Sequence, residues 1–357
     1  MYGTIRVELS SERKAKPSVD TGLAFGKYFT DHMFMMNYSE GSGWHDPRIV
    51  PYAPITLDPS AMVFHYGQAI FEGLKAYRSP DKSSVYLFRP DKNAARLNQS
   101  CERLSMPSID EAFFVEALQS LVRIDADWIP ESEGTSLYIR PFIISTEAGL
   151  GVRPSSEYLF AVIMSPVGSY YEEGIHPVAI HVETHYTRAA VGGMGYAKAA
   201  GNYAGSLKAQ MLAKEYNCSQ VLWLDAAEKK YLEEVGSMNV FFKLGGEIVT
   251  PKLNGSILDG VTRNSVMQLL ASWGMPVTER RISMDEIAAA FANGTLEEAF
   301  GTGTAAVISP IGSLHWNDQT MSINVGQTGP LTERLYNTLT GIQNGKIEDP
   351  FGWNVRC

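Results

Sequence analysis

The sequence predicts a two-domain protein of the α/β class, in which helices and strands are mixed. Its 357 residues exceed what a single hydrophobic core usually holds. Apolar segments with strand and helix periodicity alternate along the chain. Residues 167–177 have turn composition and end at a proline, which is typical of a domain boundary. We therefore expect a small N-terminal domain over residues 1–166, a connecting loop over 167–177 and a large C-terminal domain over 178–357.

Charge and cysteine usage restrict the compartment and the partners. The net charge of −9 argues against nucleic acid or an anionic membrane as the main partner. Cys101, Cys218 and Cys357 have no metal-like spacing and leave an odd thiol, so a disulfide framework is not expected. The apolar runs are too short to span a bilayer, and residues 1–16 lack the apolar core of a signal peptide. We expect a soluble protein of the reducing cytoplasm.

The first elements of the N-terminal domain follow from local patterns. Residues 25–38 are dense in aromatic residues and methionine, which favours a buried strand. Residues 85–90 predict another strand. The helix expected over residues 91–104 brings Arg96 close to that strand.

A helix and a strand with clear signatures follow. Ser108 and Glu111 have capping-box spacing at the start of an amphipathic helix. Residues 136–145 alternate as a strand does, so Tyr138 and Arg140 lie on the same face.

The sequence of the C-terminal domain also predicts a mixture of helices and strands. In the helix after residue 201, Leu207 and Met211 are four apart, which favours their packing inward. The remaining signals, in order, are a central strand at 219–224, a hairpin closed at Gly245–Gly246, a helix after Gly260, a capping box from Ser283 to Glu286, and a last helix starting at Pro330.

The most informative stretch surrounds Lys198. A lone lysine is usually a solvated surface residue, but the small, uncharged residues of 192–203 offer it no polar face. We therefore favour an amine in a cleft, where burial lowers the pKa of a lysine and frees it for Schiff-base chemistry. Glu234 lies in a separate glycine-containing turn, where its alternative is an ordinary cap or surface acid. An amine and a carboxylate supplied in this way are what pyridoxal phosphate chemistry requires.

Three segments are candidates for binding a phosphate. Residues 260–262 start a helix, where free N–H groups and the helix dipole favour a dianion. The GTGT sequence at 301–304 predicts a glycine turn whose N–H groups form an anion nest. Arg96 can add a guanidinium fork. Each of these alone is more often an ordinary turn or a surface arginine.

Competing motifs fail on their context. A P-loop is excluded because no glycine precedes Lys198 and no Ser or Thr follows it. A dinucleotide fingerprint at residues 301–306 is rejected because Pro310 follows where a helix is required. His181 and His185 lie on a predicted strand, about 13 Å apart at ~3.3 Å per residue, so no metal site is expected.

Together these segments resemble the fold-type IV pyridoxal phosphate enzymes. The residues that carry the resemblance are 192–203, 234–239, 260–263 and 300–305. More narrowly, residues 25–33, 65–77, 87–96 and 137–141 are similar to the long branched-chain amino acid aminotransferases. The match runs in order from about Phe25 to the last helix. It implies a smaller N-terminal α/β domain and a larger C-terminal domain with a pseudo-barrel of strands surrounded by helices.

The resemblance also implies pyridoxal 5'-phosphate as cofactor and gives residues their roles. Lys198 forms the Schiff base and moves the proton between the substrate Cα and the cofactor, and Glu234 pairs with the pyridine nitrogen. Cofactor contacts are further implied for Arg96, Tyr203, Ser237, Leu258, Gly260, Val261, Thr262 and Thr304. Ser237 stands where the family usually has threonine.

The implied substrates are leucine, isoleucine and valine, with 2-oxoglutarate as the amino acceptor. Arg140 would bind the second carboxylate of glutamate or 2-oxoglutarate. The implied pocket consists of Phe25, Tyr66, Phe71, Tyr138, Arg140, Tyr170, Thr304 and Ala305. A homodimer is implied, in which the partner's loop completes each site.

Two points remain open from the sequence. A D-amino acid aminotransferase or an aminodeoxychorismate lyase is the alternative within fold-type IV, although such chains are usually shorter and lack residues 25–33 and 137–141. A cofactor-binding protein without transaminase activity is disfavoured because Lys198 and Glu234 are both present. Mammalian relatives have a Cys-x-x-Cys redox pair where this chain has Ala306 and Ser309, so we predict no thiol switch there.

Overall fold

The computed structural model describes residues 2–17, 23–168 and 175–357, which form two compact units. Unit 1 consists of Met1–Tyr170, Ala197–Gly201 and Gly341–Cys357, and unit 2 consists of Tyr171–Tyr196 and Asn202–Thr340. The chain therefore returns to unit 1 twice. Both returning segments fall within the stretch that the sequence assigns to the C-terminal domain, and the first of them carries Lys198.

Both halves of the chain contain a mixture of strands and helices. The N-terminal half contains β1 (Arg6–Val7), β2 (His32–Ser39), β3 (Gly43–Pro51), α1 (Met62–Tyr66), β4 (Ala69–Phe71), β5 (Leu74–Arg78), β6 (Val85–Phe88), α2 (Pro90–Arg103), α3 (Glu111–Ile124), β7 (Ser136–Ser145) and β8 (Glu157–Val167). The rest contains β9 (Val178–Glu183), α4 (Ala200–Glu215), β10 (Gln220–Leu224), β11 (Leu232–Val235), β12 (Met238–Leu244), β13 (Glu247–Pro251), α5 (Val261–Ser272), β14 (Val277–Arg280), α6 (Met284–Ala292), β15 (Leu296–Gly303), β16 (Val307–Trp316), β17 (Gln319–Ser322), α7 (Pro330–Gln343) and β18 (Asn354–Arg356).

Unit 1 is built on a nine-stranded sheet. Its strand order is β1-β3-β2-β8-β7-β5-β6-β18, and β4 pairs with β7. Helices α2 and α3 pack on this sheet because their apolar residues recur at helical spacing. Leu118 and Leu121 of α3 are completely buried, and each such side chain contributes about 1.5–3 kcal/mol to stability.

The predicted cap of α3 is wrong by two residues. The carboxylate of Asp110 accepts the N–H of Phe113 at 2.8 Å, so Asp110 is the N-cap. The carbonyl of Ser108 instead accepts the indole N–H of Trp44 at 2.8 Å. The capping box of α6 is confirmed, because Ser283 accepts the N–H of Glu286 at 3.1 Å.

Unit 2 contains a closed barrel. Six strands follow each other in the order β11-β10-β9-β16-β15-β12, and β12 pairs back with β11. Strands β13 and β14 continue from β12, and β17 pairs with β16. The closure confirms the predicted pseudo-barrel. Its core includes Ile180, Val182, Leu222, Val240, Phe242 and Leu314.

Helix α4 packs with the opposite face from the one predicted. Leu207 and Met211 are 59% and 65% exposed, so the expectation that they pack inward is wrong. Ala209 and Ala213 are buried instead and pack with Trp223 in one cluster. Small residues allow the helix to approach the strands closely, which leaves the larger side chains outside. Within the described ranges, the helices are too short or too polar to cross a membrane.

Candidate active site

Lys198 belongs to unit 1, where neighbouring elements hold its main chain on both sides. Its N–H donates to the Ser100 hydroxyl of α2 at 2.9 Å, and its carbonyl accepts the N–H of Phe71 at 3.1 Å. The next residue, Ala199, forms an isolated bridge with Ile70 of β4. The Lys198 Nζ lies 4.6 Å from the centroid of the Phe71 ring, within the range of a cation–π contact. Lys198 is thus a half-buried amine beside an aromatic wall.

The aromatic wall continues from Phe71 to three more predicted substrate residues. The Arg140 guanidinium lies 4.8 Å from the Phe71 ring centroid and 5.3 Å from that of Tyr138. Arg140 also donates to the Tyr138 hydroxyl at 3.1 Å, which confirms that the two side chains share one face of β7. Phe25 meets the Tyr138 ring edge-on at 4.8 Å. Unit 1 therefore brings Phe25, Phe71, Tyr138 and Arg140 together with Lys198.

One predicted tyrosine, Tyr66, makes its contact outside this group. Tyr66 is 38% exposed, and its hydroxyl donates to the carbonyl of Leu150. Tyr170 lies outside the described residues.

Arg96 forms a buried ion pair with Glu72, a residue that the sequence interpretation missed. The Arg96 Nε and Nη2 atoms donate to the two oxygens of Glu72, each at 2.8 Å. The Asn93 side chain donates to the same carboxylate at 2.8 Å, and the Gly73 N–H donates at 3.2 Å. A phosphate bound by two N–H groups of Arg96 would therefore use the Nη1–Nη2 edge.

Electrostatics keep Glu72 ionised although it is completely buried. Burial alone would raise the pKa of Glu72. The charge and hydrogen bonds of Arg96, the charge of Lys198 and the bond from Asn93 outweigh it and hold the pKa below its ordinary value. Glu72 directly follows the apolar residues of β4. A charged residue next to such an apolar run is a sequence signal for a buried ion pair, and this signal could have identified Glu72.

In unit 2, Glu234 lies in the hairpin formed by β11 and β12. Glu234 is directly opposite Asn239, and the turn between the strands needs Gly236, whose φ is +56°. The indole N–H of Trp223 donates to the Gly236 carbonyl at 2.9 Å and fixes this turn. The EVGSMN sequence is therefore a tight hairpin that presents Glu234 on its strand.

The carboxylate of Glu234 is buried and has partners on both oxygens. The Leu258 N–H donates to one oxygen at 3.1 Å, and the Asn239 side chain donates to the same oxygen at 3.3 Å. The Arg188 Nε lies 2.7 Å from the other oxygen, which makes a close ion pair. The geometry at Nε does not meet the criteria for a hydrogen bond. Sequence analysis missed Arg188, which lies ten residues before Lys198 in a stretch without a motif of its own.

The start of α5 lies against the same hairpin. A Cβ atom on Gly260 would lie 2.0 Å from the Asn239 side-chain oxygen, so only glycine fits there. Gly260 is the N-cap and supplies no side-chain cap to the first turn, which begins at Val261 and Thr262. Uncapped N–H groups at a helix start are suited to an anion.

Of the other predicted site residues of unit 2, Leu258 lies beside the Glu234 hairpin, and the rest lie on α4 and in two turns. Tyr203 is half-buried in α4, Ser237 is exposed in the β11–β12 turn, and Leu258 is half-buried with its carbonyl accepting from Asn239 at 2.8 Å. Thr304 and Ala305 lie in the turn between β15 and β16. The expected glycine turn at 301–304 is wrong in position, because its glycines continue β15 and the turn covers residues 304–306.

Comparison with known proteins defines the family. Residues 69–314 match the family described as amino-transferase class IV. The chain therefore belongs to the class IV aminotransferases. It is 63% identical over 352 residues to the branched-chain-amino-acid aminotransferase 2 of Bacillus subtilis (strain 168). The aligned residues cover 99% of this chain and 96% of that relative.

Solved structures agree with this assignment. The branched-chain amino acid aminotransferase of Escherichia coli superposes with a TM-score of 0.73 at 27% identity, over 90% of this chain and 98% of that one. The branched-chain aminotransferase of Thermoproteus uzoniensis, solved with norvaline, has a TM-score of 0.74 at 25% identity, over 90% and 99%. The fold class and the branched-chain aminotransferase family predicted from the sequence are confirmed.

Proposed function

We infer that the protein transfers an amino group reversibly between L-leucine, L-isoleucine or L-valine and 2-oxoglutarate. The observation that carries this function is the group around Lys198 in unit 1. It combines a half-buried amine with an apolar aromatic wall and an arginine stacked on that wall. The names of the relatives support the same substrates. They also disfavour the D-amino acid aminotransferase and the aminodeoxychorismate lyase.

We propose pyridoxal 5'-phosphate as the cofactor, and the residues of the chain fit it. In unit 1, the half-buried amine of Lys198 suits its aldehyde, and the guanidinium of Arg96 suits a phosphate. In unit 2, the buried carboxylate of Glu234 suits its ring nitrogen, and the uncapped start of α5 suits a phosphate. When bound, this cofactor supplies an electron-withdrawing ring. Two other solved branched-chain amino acid aminotransferase structures, 26% identical to this chain, contain pyridoxamine 5'-phosphate and N-(5'-phosphopyridoxyl)-L-glutamate.

Each residue then has a defined task. Lys198 would bind the aldehyde carbon and afterwards carry the proton to and from the substrate Cα. The Arg188 guanidinium lies 2.7 Å from one oxygen of Glu234, and Glu234 would accept the N–H of a protonated pyridine nitrogen. Tyr203 would bind the phenolic oxygen. The phosphate would be bound by Arg96, Ser237, Thr304 and the N–H groups that follow Gly260 at Val261 and Thr262, and Leu258 would pack on the ring.

The substrate side chain would lie against the aromatic wall. Phe25, Phe71 and Tyr138 offer apolar surface, and each buried CH₂ of a branched side chain contributes ~0.8 kcal/mol. Arg140 lies over two of these rings and would bind the second carboxylate of 2-oxoglutarate. Tyr66, Tyr170 and the turn at Thr304–Ala305 stay predictions from the resemblance, the last for the α-carboxylate.

A cytoplasmic homodimer is also proposed. Exposed apolar side chains favour a partner surface: Leu207 and Met211 on α4, and Leu150 and Val152 at 67% and 85% exposure in unit 1. Light scattering of the purified protein should give twice the mass of one chain. A monomer would contradict the proposal.

The function is tested by replacing Lys198. Lys198→Ala should abolish the transfer of the amino group from L-leucine to 2-oxoglutarate, because both the covalent link and the proton carrier are lost. Lys208→Ala is the matched control, since Lys208 is an exposed lysine of α4. Its turnover should equal that of the native chain. Full turnover in the Lys198 variant would overturn the assignment.

A further inference from the structure

Ser100 and Glu72 have no role in the reaction described above, although both are completely buried next to Lys198. Ser100 lies on α2, four residues after Arg96, and its hydroxyl donates to the Arg96 carbonyl at 3.0 Å while it accepts from the Lys198 N–H at 2.9 Å. Serine hydroxyls of helices often bond only to the carbonyl four residues earlier. In this protein the same hydroxyl also reaches outside its helix to Lys198.

Glu72 connects the two elements that hold Lys198. It directly follows β4, where the Phe71 N–H donates to the Lys198 carbonyl. Its carboxylate binds Arg96 and Asn93, both on α2. The ion pair therefore fixes β4 to α2, and the Lys198 main chain is bonded to one residue of each.

We propose that Ser100 and Glu72 are positioning residues that together hold the main chain of Lys198 for proton transfer. A bidentate, charge-assisted pair of hydrogen bonds is strong and has a defined geometry, and breaking it leaves a buried arginine without its counter-ion. A reacting group misplaced by about 1 Å loses up to about 10²-fold in rate. The inference rests on the proposed function, because Lys198 must be the proton carrier.

The charged groups on the elements around Glu72 and Lys198 are mostly positive. Arg96 on α2, Lys75 on β5 and Arg140 on β7 lie on the elements around β4. Lys75 is directly opposite Tyr138 in the β5–β7 register, and Arg140 shares the Phe71 ring with Lys198. Glu72 is the carboxylate bonded to Arg96, and it also interacts with the charge of Lys198. Replacing Glu72 therefore removes both the ion pair that joins β4 to α2 and the negative charge that faces Arg96 and Lys198.

The test combines two measurements on the full chain. The first is hydrogen exchange of a peptide containing Lys198, in protein freed of cofactor. Ser100→Ala should speed exchange of the Lys198 amide about 10-fold or more, and Glu72→Gln should give a smaller increase. The second is the kinetic isotope effect on kcat, measured by comparing L-leucine with L-leucine deuterated at Cα. Both variants should lower kcat about 10-fold and enlarge this isotope effect, since proton transfer becomes slower.

Matched controls separate positioning from general destabilisation. Ser145→Ala removes a buried hydroxyl from β7, and Glu298→Gln removes a buried carboxylate that is bonded to Leu331 and Thr332. Neither should change the isotope effect or the exchange at Lys198. An unchanged isotope effect in both Ser100→Ala and Glu72→Gln would overturn the proposal. Absence of leucine turnover in the native chain would instead contradict the proposed function.

Discussion

Each unit holds a buried glutamate that has an arginine and an asparagine as partners, and the two arrangements differ in what they fix. Glu72 pairs with Arg96 and Asn93, and Glu234 pairs with Arg188 and Asn239. In unit 1 both guanidinium bonds are 2.8 Å long and join a strand to a helix. In unit 2 the arginine contacts one oxygen, and the other partners come from the glutamate's own hairpin and the loop before α5.

The difference shows that similar partners can serve two purposes. A two-point fork between separate elements holds a main chain in place, as Glu72 does for the neighbourhood of Lys198. A carboxylate held in a hairpin beside one arginine, as Glu234 is, suits a positively charged N–H group. We expect mutations at Glu72 to act mainly on stability and geometry, and mutations at Glu234 to act on chemistry.

The largest effect on stability should follow Glu72→Ala. The variant leaves Arg96 buried without its counter-ion, so the free energy of unfolding should fall by about 3–5 kcal/mol. Glu234→Ala should cost less, because Arg188 keeps bonds to the carbonyls of Ser256 and Gly195. Urea unfolding followed by tryptophan fluorescence measures both. A larger loss at Glu234 than at Glu72 would break the comparison.

For the conservative change of glutamate to glutamine, the loss of activity should be larger at Glu234 than at Glu72, the reverse of the order expected for stability. Glu234→Gln keeps the shape but loses the charge, and we expect turnover of L-leucine to fall about 10²- to 10³-fold, as when one pre-organised electrostatic partner is removed. Glu233→Gln is the matched control on the same strand, where Glu233 is also buried. It should stay within a few-fold of the native chain. Equal losses in both variants would remove the special role of Glu234.

The pH dependence of stability should reveal another buried ionisable group of unit 1, Lys75. Burial lowers the pKa of Lys75 to about 8 from 10.5. Between these values the unfolded chain binds a proton that the folded chain does not, so stability rises with pH. The slope should be about 1.4 kcal/mol per pH unit from pH 8 to 10.5. Lys75→Met should remove this contribution, and an identical slope in the variant would contradict it.

The smallest effect is expected at the thiols. Burial raises the pKa of Cys101 to about 12 and that of Cys357 to about 11, and it also raises that of Cys218. Almost no thiolate exists at pH 8, so a thiol reagent should label the native chain slowly and mild oxidant should leave turnover unchanged. Reversible inactivation that disappears when one cysteine is replaced by serine would contradict this expectation and the predicted absence of a thiol switch.

Several features of the chain could be predicted because short-range patterns determine them. The turn at Gly245–Gly246, the cap at Ser283 and the last helix from Pro330 depend on residues close in sequence. The hairpin of Glu234 also follows from one glycine between two strands. Lys198 stood out because its neighbours are small and uncharged. In each case the signal and the structure lie within a few residues of each other.

Features that depend on distant partners could not be predicted in the same way. The pairing of Glu72 with Arg96 joins residues 24 positions apart in different elements. The outward direction of Leu207 is set by what packs on the opposite face of α4, which helical periodicity does not identify. Ser108 and Asp110 are both good caps, so local sequence does not decide between them. In the structure Asp110 accepts the Phe113 N–H, and the Ser108 carbonyl accepts from Trp44 of β3.

The most direct test of the proposed function is the visible absorption spectrum of the purified protein. We expect a band of bound cofactor that is lost on addition of L-leucine and returns with 2-oxoglutarate. That result would establish the cofactor, the transfer and the substrate class together. A band that ignores L-leucine but responds to D-alanine would place the chain among the D-amino acid enzymes. No band after addition of pyridoxal phosphate would contradict the role of Lys198.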